Sequence, residues 1–248
     1  MKLFDGKVVV VTGGGSGIGQ ACVQAFSDLG ATVVALDLKF GGKQELSVEH
    51  RLTLDLTDES RVNAAFEAIL CEYTKIDVLV NSCGIIHRAT VIDTSLSDWN
   101  KVIAANLTSC FLTSRAALPS MVENGAGAII NISSGWGIAG GDRASAYCAS
   151  KGGVVLLTKA MAVDYGKANI RINCVCPGDT DTPLLAQEAS LVGSSIDRFR
   201  AAGASRPLGR IGKPDEVAQV VVFLASESSS FITGAVMPVD GGASAGTG

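Results

Sequence analysis

The 248-residue chain lacks most of what would tie it to a nucleic acid, a membrane or a metal. No block of lysine and arginine runs along it, and the net charge is −4. That leaves no electrostatic footprint for phosphate backbones or anionic lipid. No apolar run approaches the ~18 residues of a membrane span, and no leader peptide is read before the first strand pattern. Only two histidines, His50 and His87, are present, and seven cysteines show neither CxxC nor zinc spacing, so no metal site is read. The odd cysteine count, with Cys174 and Cys176 alternating in an apolar stretch, reads as reduced, buried small hydrophobes. That fits the cytoplasm. Proline is scarce, at 6 residues, and neither a repeat nor a linker interrupts the chain.

What is present is apolar residue, at 47%, and glycine, at 29 positions. This suits one domain over 1–248 with a large core, many tight turns and close backbone approaches. Short β-branched or apolar runs at 8–11, 31–38, 52–55, 76–81, 128–132, 171–175 and 235–239 read as strands buried on both faces. Helical spacing follows most of them. Ile18, Cys22, Phe26 and Leu29 end at Gly30, Asp58 is a candidate cap for a helix carrying Val62, Phe66 and Ile69, and Ser97-Asp98 is a candidate cap for a helix to about Val122, broken near Ala105. Helices also follow at 147–164 and 215–225. The polar segment 39–49 is short for a crossover helix and reads as a turn. Residues 241–248 are expected to fray. Alternating strands and helices predict an α/β, doubly wound parallel sheet with ligands at the carboxyl ends of its strands. The long connection 177–214 has weak helical pattern at 184–189 and 196–202, and a lid is read at about 184–206.

Between the first strand and helix stand Thr12, Gly13, Gly14, Gly15, Ser16, Gly17, Ile18 and Gly19. Glycines there let backbone N–H groups approach a pyrophosphate at a helix N-terminus. The order is G-x-x-x-G-x-G rather than G-x-G-x-x-G, and a bare flexible turn is the alternative. No lysine follows the last glycine, which argues against a nucleoside triphosphatase. Asp37, at the end of the second strand, is suited to the adenosine ribose hydroxyls and would repel a 2′-phosphate, favouring NAD over NADP. Lys39 and Lys43 lie close enough in sequence to soften that preference. Tyr147 and Lys151, four residues apart, share one helix face. A lysine beside a phenol favours phenolate and so a base. The same spacing also occurs on solvated helices.

Taken together, these residues resemble the short-chain dehydrogenases/reductases over essentially the whole chain, from Lys7 to about Gly242. Thr12 to Gly19 fit the family's TGxxxGIG turn, and Asp37 fits the acidic position of its NAD-dependent members. Asp55 and Leu56 fit its adenine-contacting pair. Asn81-Ser82-Cys83-Gly84 stands where Asn-Asn-Ala-Gly is usual, a departure expected to tune the nucleotide floor. Asn106, Ser134, Tyr147 and Lys151 fit the catalytic tetrad, although Ser133 precedes Ser134 and spacing alone chooses between them. Pro177, Gly178, Thr180 and Thr182 match the loop that holds the nicotinamide carboxamide.

The resemblance implies a Rossmann fold, NAD as cofactor, a small-molecule substrate and a homotetramer or dimer built on the two long helices and the last strand. It also implies that Lys151 binds the nicotinamide ribose and that Asn106 holds a water in a proton relay. Tyr147 would take the hydroxyl proton as hydride leaves, with Lys151 lowering its pKa, and Ser134 would stabilise the substrate oxygen. Candidate substrate residues are His87, Trp136, Arg143 and Leu184. Arg143 suits a carboxylate or phosphate or else is a solvated loop residue. Val154, Leu157 and Met161 fit either core or interface. Relatives with a similar 173–178 run act on hydroxybutyrate or sugar acids, which tilts the substrate toward a small polar polyol, sugar-derived compound or hydroxy acid. The alternatives are an NADPH-dependent 3-oxoacyl thioester reductase, against which Asp37 speaks, and a non-catalytic nucleotide-binding regulator, against which the complete tetrad speaks.

Overall fold

A computed structural model describes residues 2–41 and 50–246. Most of the polar segment expected to be a turn, and Lys43 with it, lies outside these residues. The described chain forms one parallel sheet in the order β3-β2-β1-β4-β5-β6-β7. The strands are β1 (Val8–Thr12), β2 (Thr32–Asp37), β3 (His50–Thr53), β4 (Val78–Asn81), β5 (Gly127–Ile132), β6 (Ile170–Pro177) and β7 (Val236–Val239). The helices are α1 (Gly17–Asp28), α2 (Glu59–Tyr73), α3 (Leu96–Ile103), α4 (Ser109–Asn124), α5 (Ser145–Tyr165), α6 (Pro183–Leu191), α7 (Ile196–Ala202) and α8 (Pro214–Ala225). Among the described residues no helix is long and apolar enough to cross a membrane.

Successive side chains of a strand face opposite ways, and the sheet therefore divides two cores. Val9 and Val11 of β1 join the core under α1 and α8, with Phe26 and Val221. Val10 joins the other, with Phe66, Leu118 and Ile172 under α2, α4 and α5. A strand buried on both faces needs apolar residues at every position, which is why 8–11 is unbroken valine. The sheet reverses direction of growth between β1 and β4. The two connections diverge there and leave a crevice at the strands' carboxyl ends.

Local chemistry sets most boundaries. The Asp58 carboxylate accepts from Ser60 N and Arg61 N and starts α2 as expected. The cap of α3 is Ser95 rather than Ser97, its hydroxyl accepting from Asp98 N at 3.0 Å. The break near Ala105 is a π-helical turn, Ala104–Thr108, between α3 and α4. The tail does not fray over 241–246. The Asp240 carboxylate accepts from Gly242 N and Ser244 N, and Leu208 N donates to Gly241 O.

Candidate active site

The side of the crevice formed by the turn after β1 is built from main chain. Gly13 and Gly17 have φ of +67° and +54°, in the left-handed region that favours glycine. A Cβ on Gly13 would lie 2.9 Å from Ser82 O and Cys83 N. One on Gly19 would run into the Gly13 carbonyl. Thr12 Oγ1 accepts from Ser82 N and Cys83 N, at 3.1 and 3.4 Å, tying the glycine turn to the loop after β4. Ser82 and Cys83 thus contribute main-chain N–H groups here, which explains how their side chains can depart from the family's usual residues. Ser16 precedes α1 in extended backbone and makes no side-chain cap, so no capping hydroxyl engages the helix's first N–H groups. Ile18 packs at the edge of the core under α1.

Asp37 closes this side. Its Oδ2 accepts from Gly15 N at 2.9 Å and its Oδ1 from Lys39 N at 3.3 Å. An ionised carboxylate has about four acceptor sites, so these bonds orient the group without saturating it. Asp55, beyond β3, is fixed by Thr57 N and Thr57 Oγ1, and Leu56 is core. Across the crevice, Pro177 ends β6, Gly178 N donates to Val239 O, and Thr180 Oγ1 donates to Gly178 O. Thr182 caps α6 through Leu185 N, and its methyl would lie 3.2 Å from a Cβ on Gly17. The turn after β1 and the loop after β6 therefore face each other. Asn81 behaves differently. Its amide donates to Ser114 Oγ and Asn131 Oδ1 and accepts from Thr113 Oγ1, so its buried side chain braces β4, β5 and α4.

The reacting side is built from side chains. Ser134, Tyr147 and Lys151 converge where β5 ends against α5. Ser133 is buried and donates to Lys151 O at 2.8 Å. Ser134 Oγ accepts from Trp136 N at 3.1 Å, and Ser134 acts on the Tyr147 phenol to lower its pKa. Lys151 Nζ donates to Ile132 O at 2.9 Å and lies 5.9 Å from the centre of the Tyr147 ring. A Cβ on Gly84 would meet Lys151 Nζ at 3.2 Å and Asn106 Oδ1 at 3.3 Å. Asn106, in the π-helical turn, accepts from Ile85 N and donates to Ile85 O and Ser150 Oγ. Ser150 Oγ in turn donates to Tyr147 O. The Asn106 amide is thus a brace between the loop after β4 and α5.

Burial dominates the electrostatics at this centre. Burial pushes Tyr147 up to about 12, Ser134 pulls it back, and the Glu188 charge raises it further. Burial also lowers Lys151, whose ammonium is removed from water. Burial thus acts on both groups against their charged forms.

Beside Tyr147 lies an apolar cluster flanked by charged side chains. Leu184 of α6 packs with Trp136 and Cys148 against Ile86, Ala144 and Tyr147. Trp136 meets Tyr147 edge-on at 6.2 Å between centroids. His87 is half-buried, and its Nε2 is buried with no hydrogen-bond partner. Arg143 is exposed, with φ of +48°. The arginine against Trp136 is instead Arg88, its guanidinium 5.0 Å from the Trp136 ring centre and paired with Glu188 of α6. Neither partner of that pair carried a sequence signal; they stand 100 residues apart.

The donor set fits a dinucleotide. At Gly15, Gly17 and Gly84 a Cβ would lie against Asp37, Thr182 and Lys151 respectively, so glycine leaves space beside each of them. Comparison with known proteins agrees. The profile of the family described as Enoyl-(Acyl carrier protein) reductase matches residues 13–244. A 3-oxoacyl-[acyl-carrier-protein] reductase of Thermotoga maritima is 38% identical, over 96% of this chain and 98% of its own length. A D-threitol dehydrogenase of Mycolicibacterium smegmatis is 38% identical, over 96% of this chain and 93% of its own. The ligand-free structure of Thermoplasma acidophilum aldohexose dehydrogenase superposes with a TM-score of 0.92 at 40% identity, covering 99% of this chain and 96% of that one.

Proposed function

The chain belongs to the short-chain dehydrogenase/reductase family of nicotinamide-dependent oxidoreductases acting on CH–OH groups, and from this we propose that it prefers NAD and interconverts a small polar secondary alcohol and its ketone. The observation that carries the NAD preference is the Asp37 carboxylate against Gly15 N. A carboxylate there accepts from ribose hydroxyls and repels a 2′-phosphate. The tilt toward a polyol or sugar-derived alcohol rests on the D-threitol and aldohexose dehydrogenases named above.

In this reading the main chain of Gly13, Gly15, Ser16, Gly17, Ile18 and Gly19 holds the pyrophosphate and Asp37 the adenosine ribose. Asp55 and Leu56 border the adenine, and Gly84 and the main chain of Asn81 form the floor. Pro177, Gly178, Thr180 and Thr182 hold the carboxamide, and Lys151 the second ribose. A bound nicotinamide supplies the two-electron hydride acceptor or donor for the carbinol carbon. Ser134 donates a hydrogen bond to the substrate oxygen and steadies its charge. Tyr147 takes the hydroxyl proton during oxidation and returns it during reduction. Lys151 favours the phenolate by charge, and Asn106 positions α5 through Ser150. Leu184, Trp136 and His87 line the substrate, with α6 and α7 as its lid.

A homotetramer or dimer is part of the same proposal. Val154 and Met161 turn out to be core, whereas Phe111 of α4 and Leu156 and Val163 of α5 are exposed apolar residues that suit helix-to-helix assembly. The second reading, an acyl-carrier thioester reductase, is favoured by the Thermotoga relative and opposed by Asp37. Tyr147→Phe tests the chemistry. We expect turnover to fall by about 10³-fold or more, within the range of general acid–base catalysis, while NADH still binds with unchanged affinity by fluorescence titration. A variant that keeps wild-type turnover removes Tyr147 as the base.

A further inference from the structure

Glu188 is a buried carboxylate on the inner side of the lid helix α6. It follows Leu184 by one helical turn, so the two side chains leave the helix on the same side, and Leu184 touches the Tyr147 cluster. Its partner Arg88 lies on the loop after β4. The two side chains are 11% and 10% exposed. The Arg88 guanidinium also lies over Trp136, the ring that meets Tyr147 edge-on, and its Nη2 is 3.7 Å from Asp142 Oδ2. Arg88 Nε is buried without a hydrogen-bond partner. The cation at this wall is therefore already answered by a carboxylate of the chain itself.

An arginine in such a position, left unpaired, would recruit a substrate carboxylate through two parallel hydrogen bonds. With Glu188 in place, an incoming carboxylate must displace it or sit beside a like charge. We propose that Glu188 is a specificity-determining residue: it neutralises Arg88 at the wall of the substrate pocket, so that the enzyme selects uncharged alcohols and diols over hydroxy acids. This rests on the reading of Tyr147 as the reacting centre of an alcohol dehydrogenase. It narrows the substrate class of that reading and sets aside its hydroxy-acid branch.

The test compares 2,3-butanediol with 3-hydroxybutyrate, each as the racemate, in wild type, Glu188→Gln and the double variant Arg88→Gln/Glu188→Gln. Glutamine keeps the shape of the buried side chain and one oxygen that can accept from Arg88, while removing the charge and replacing the other oxygen with an amide donor. Wild type should favour the diol. In Glu188→Gln the ratio of kcat/KM for 3-hydroxybutyrate to that for 2,3-butanediol should rise by about tenfold or more, chiefly through a lower KM for the acid. One charge-assisted contact is of that size. The double variant should lose the gain. If the pair only holds the lid, both substrates suffer in parallel and the ratio stays put, which overturns the proposal; so does a wild type that prefers the acid.

Failure of the underlying dehydrogenase reading looks different, because then no variant reduces NAD or NADP with either alcohol. Binding decides in that event. The fluorescence of Trp136, read in a Trp99→Phe background, should report tighter binding of 3-hydroxybutyrate to Glu188→Gln than to wild type. Equal binding overturns the proposal.

Discussion

The two sides of the crevice are made of different material. The nucleotide side is main chain: the glycine turn, the N–H groups of Ser82 and Cys83 on Thr12, and Gly15 N on Asp37. The substrate side is side chain: Ser134, Tyr147 and Lys151, walled by Trp136, Leu184 and the Arg88–Glu188 pair. A main-chain site tolerates substitution wherever no Cβ intrudes, as at Ser82 and Cys83, and forbids it at the glycines. A side-chain site depends on what surrounds each group, and burial shifts both Tyr147 and Lys151 away from their charged forms. One side is therefore fixed by shape and the other by environment.

Three measurements sharpen or break that contrast. The largest effect is expected at Ser134. Ser134→Ala removes one donor to the substrate oxygen, and kcat should fall by about 10²–10³-fold with NADH affinity unchanged in a fluorescence titration. Loss of NADH affinity instead would mean that the two sides are not separable. Next comes Gly19→Ala. Its Cβ has nowhere to go but into the Gly13 carbonyl, and NADH affinity should drop by about 100-fold, near 2.7 kcal/mol, with far-UV circular dichroism retained. Unchanged affinity would show that the turn's main chain is not the pyrophosphate site.

Per pH unit, the effect in the pH profile is the smallest of the three. Oxidation needs the Tyr147 phenolate, and burial holds the phenol's pKa up near 12. The deprotonated fraction therefore grows as pH rises toward that value. kcat/KM for the alcohol should climb by about tenfold per unit between roughly pH 6 and 9. The reduction direction needs the phenol itself and should stay flat over the same window. A plateau in oxidation below pH 7 would mean that the Lys151 charge overrides burial.

The same contrast explains what could be read from the residues alone. Strands β1, β4 and β5 were legible because burial on both faces demands unbroken apolar runs. The glycine turn was legible because a forbidden Cβ leaves a glycine behind. The break at Ala105 and the Asp58 cap were local and visible. The α3 cap is Ser95 and not Ser97, since a threonine, two serines and an aspartate compete within 94–98 and only the backbone path chooses. The different settings of Ser133, bonded to Lys151 O, and Ser134, bonded to Trp136 N, come from the strand's facing and are not written in the spacing. The Arg88–Glu188 pair joins segments 100 residues apart and has no periodicity to betray it. The burial of Tyr147 is hidden for a related reason: the lysine is written four residues away, but the packing around the phenol comes from Ile86, Ala144 and Leu184 in three separate segments.

The central claim is NAD-dependent oxidation of a small polar secondary alcohol. It is tested most directly by absorbance at 340 nm, with NAD and NADP run separately against D-threitol, 2,3-butanediol and an aldohexose, and NADH and NADPH against a 3-oxoacyl thioester. NAD should be reduced with at least one of the three uncharged alcohols, and be favoured over NADP by at least about tenfold in kcat/KM, the size of one lost or repelled contact. Turnover confined to NADPH and the thioester would contradict it.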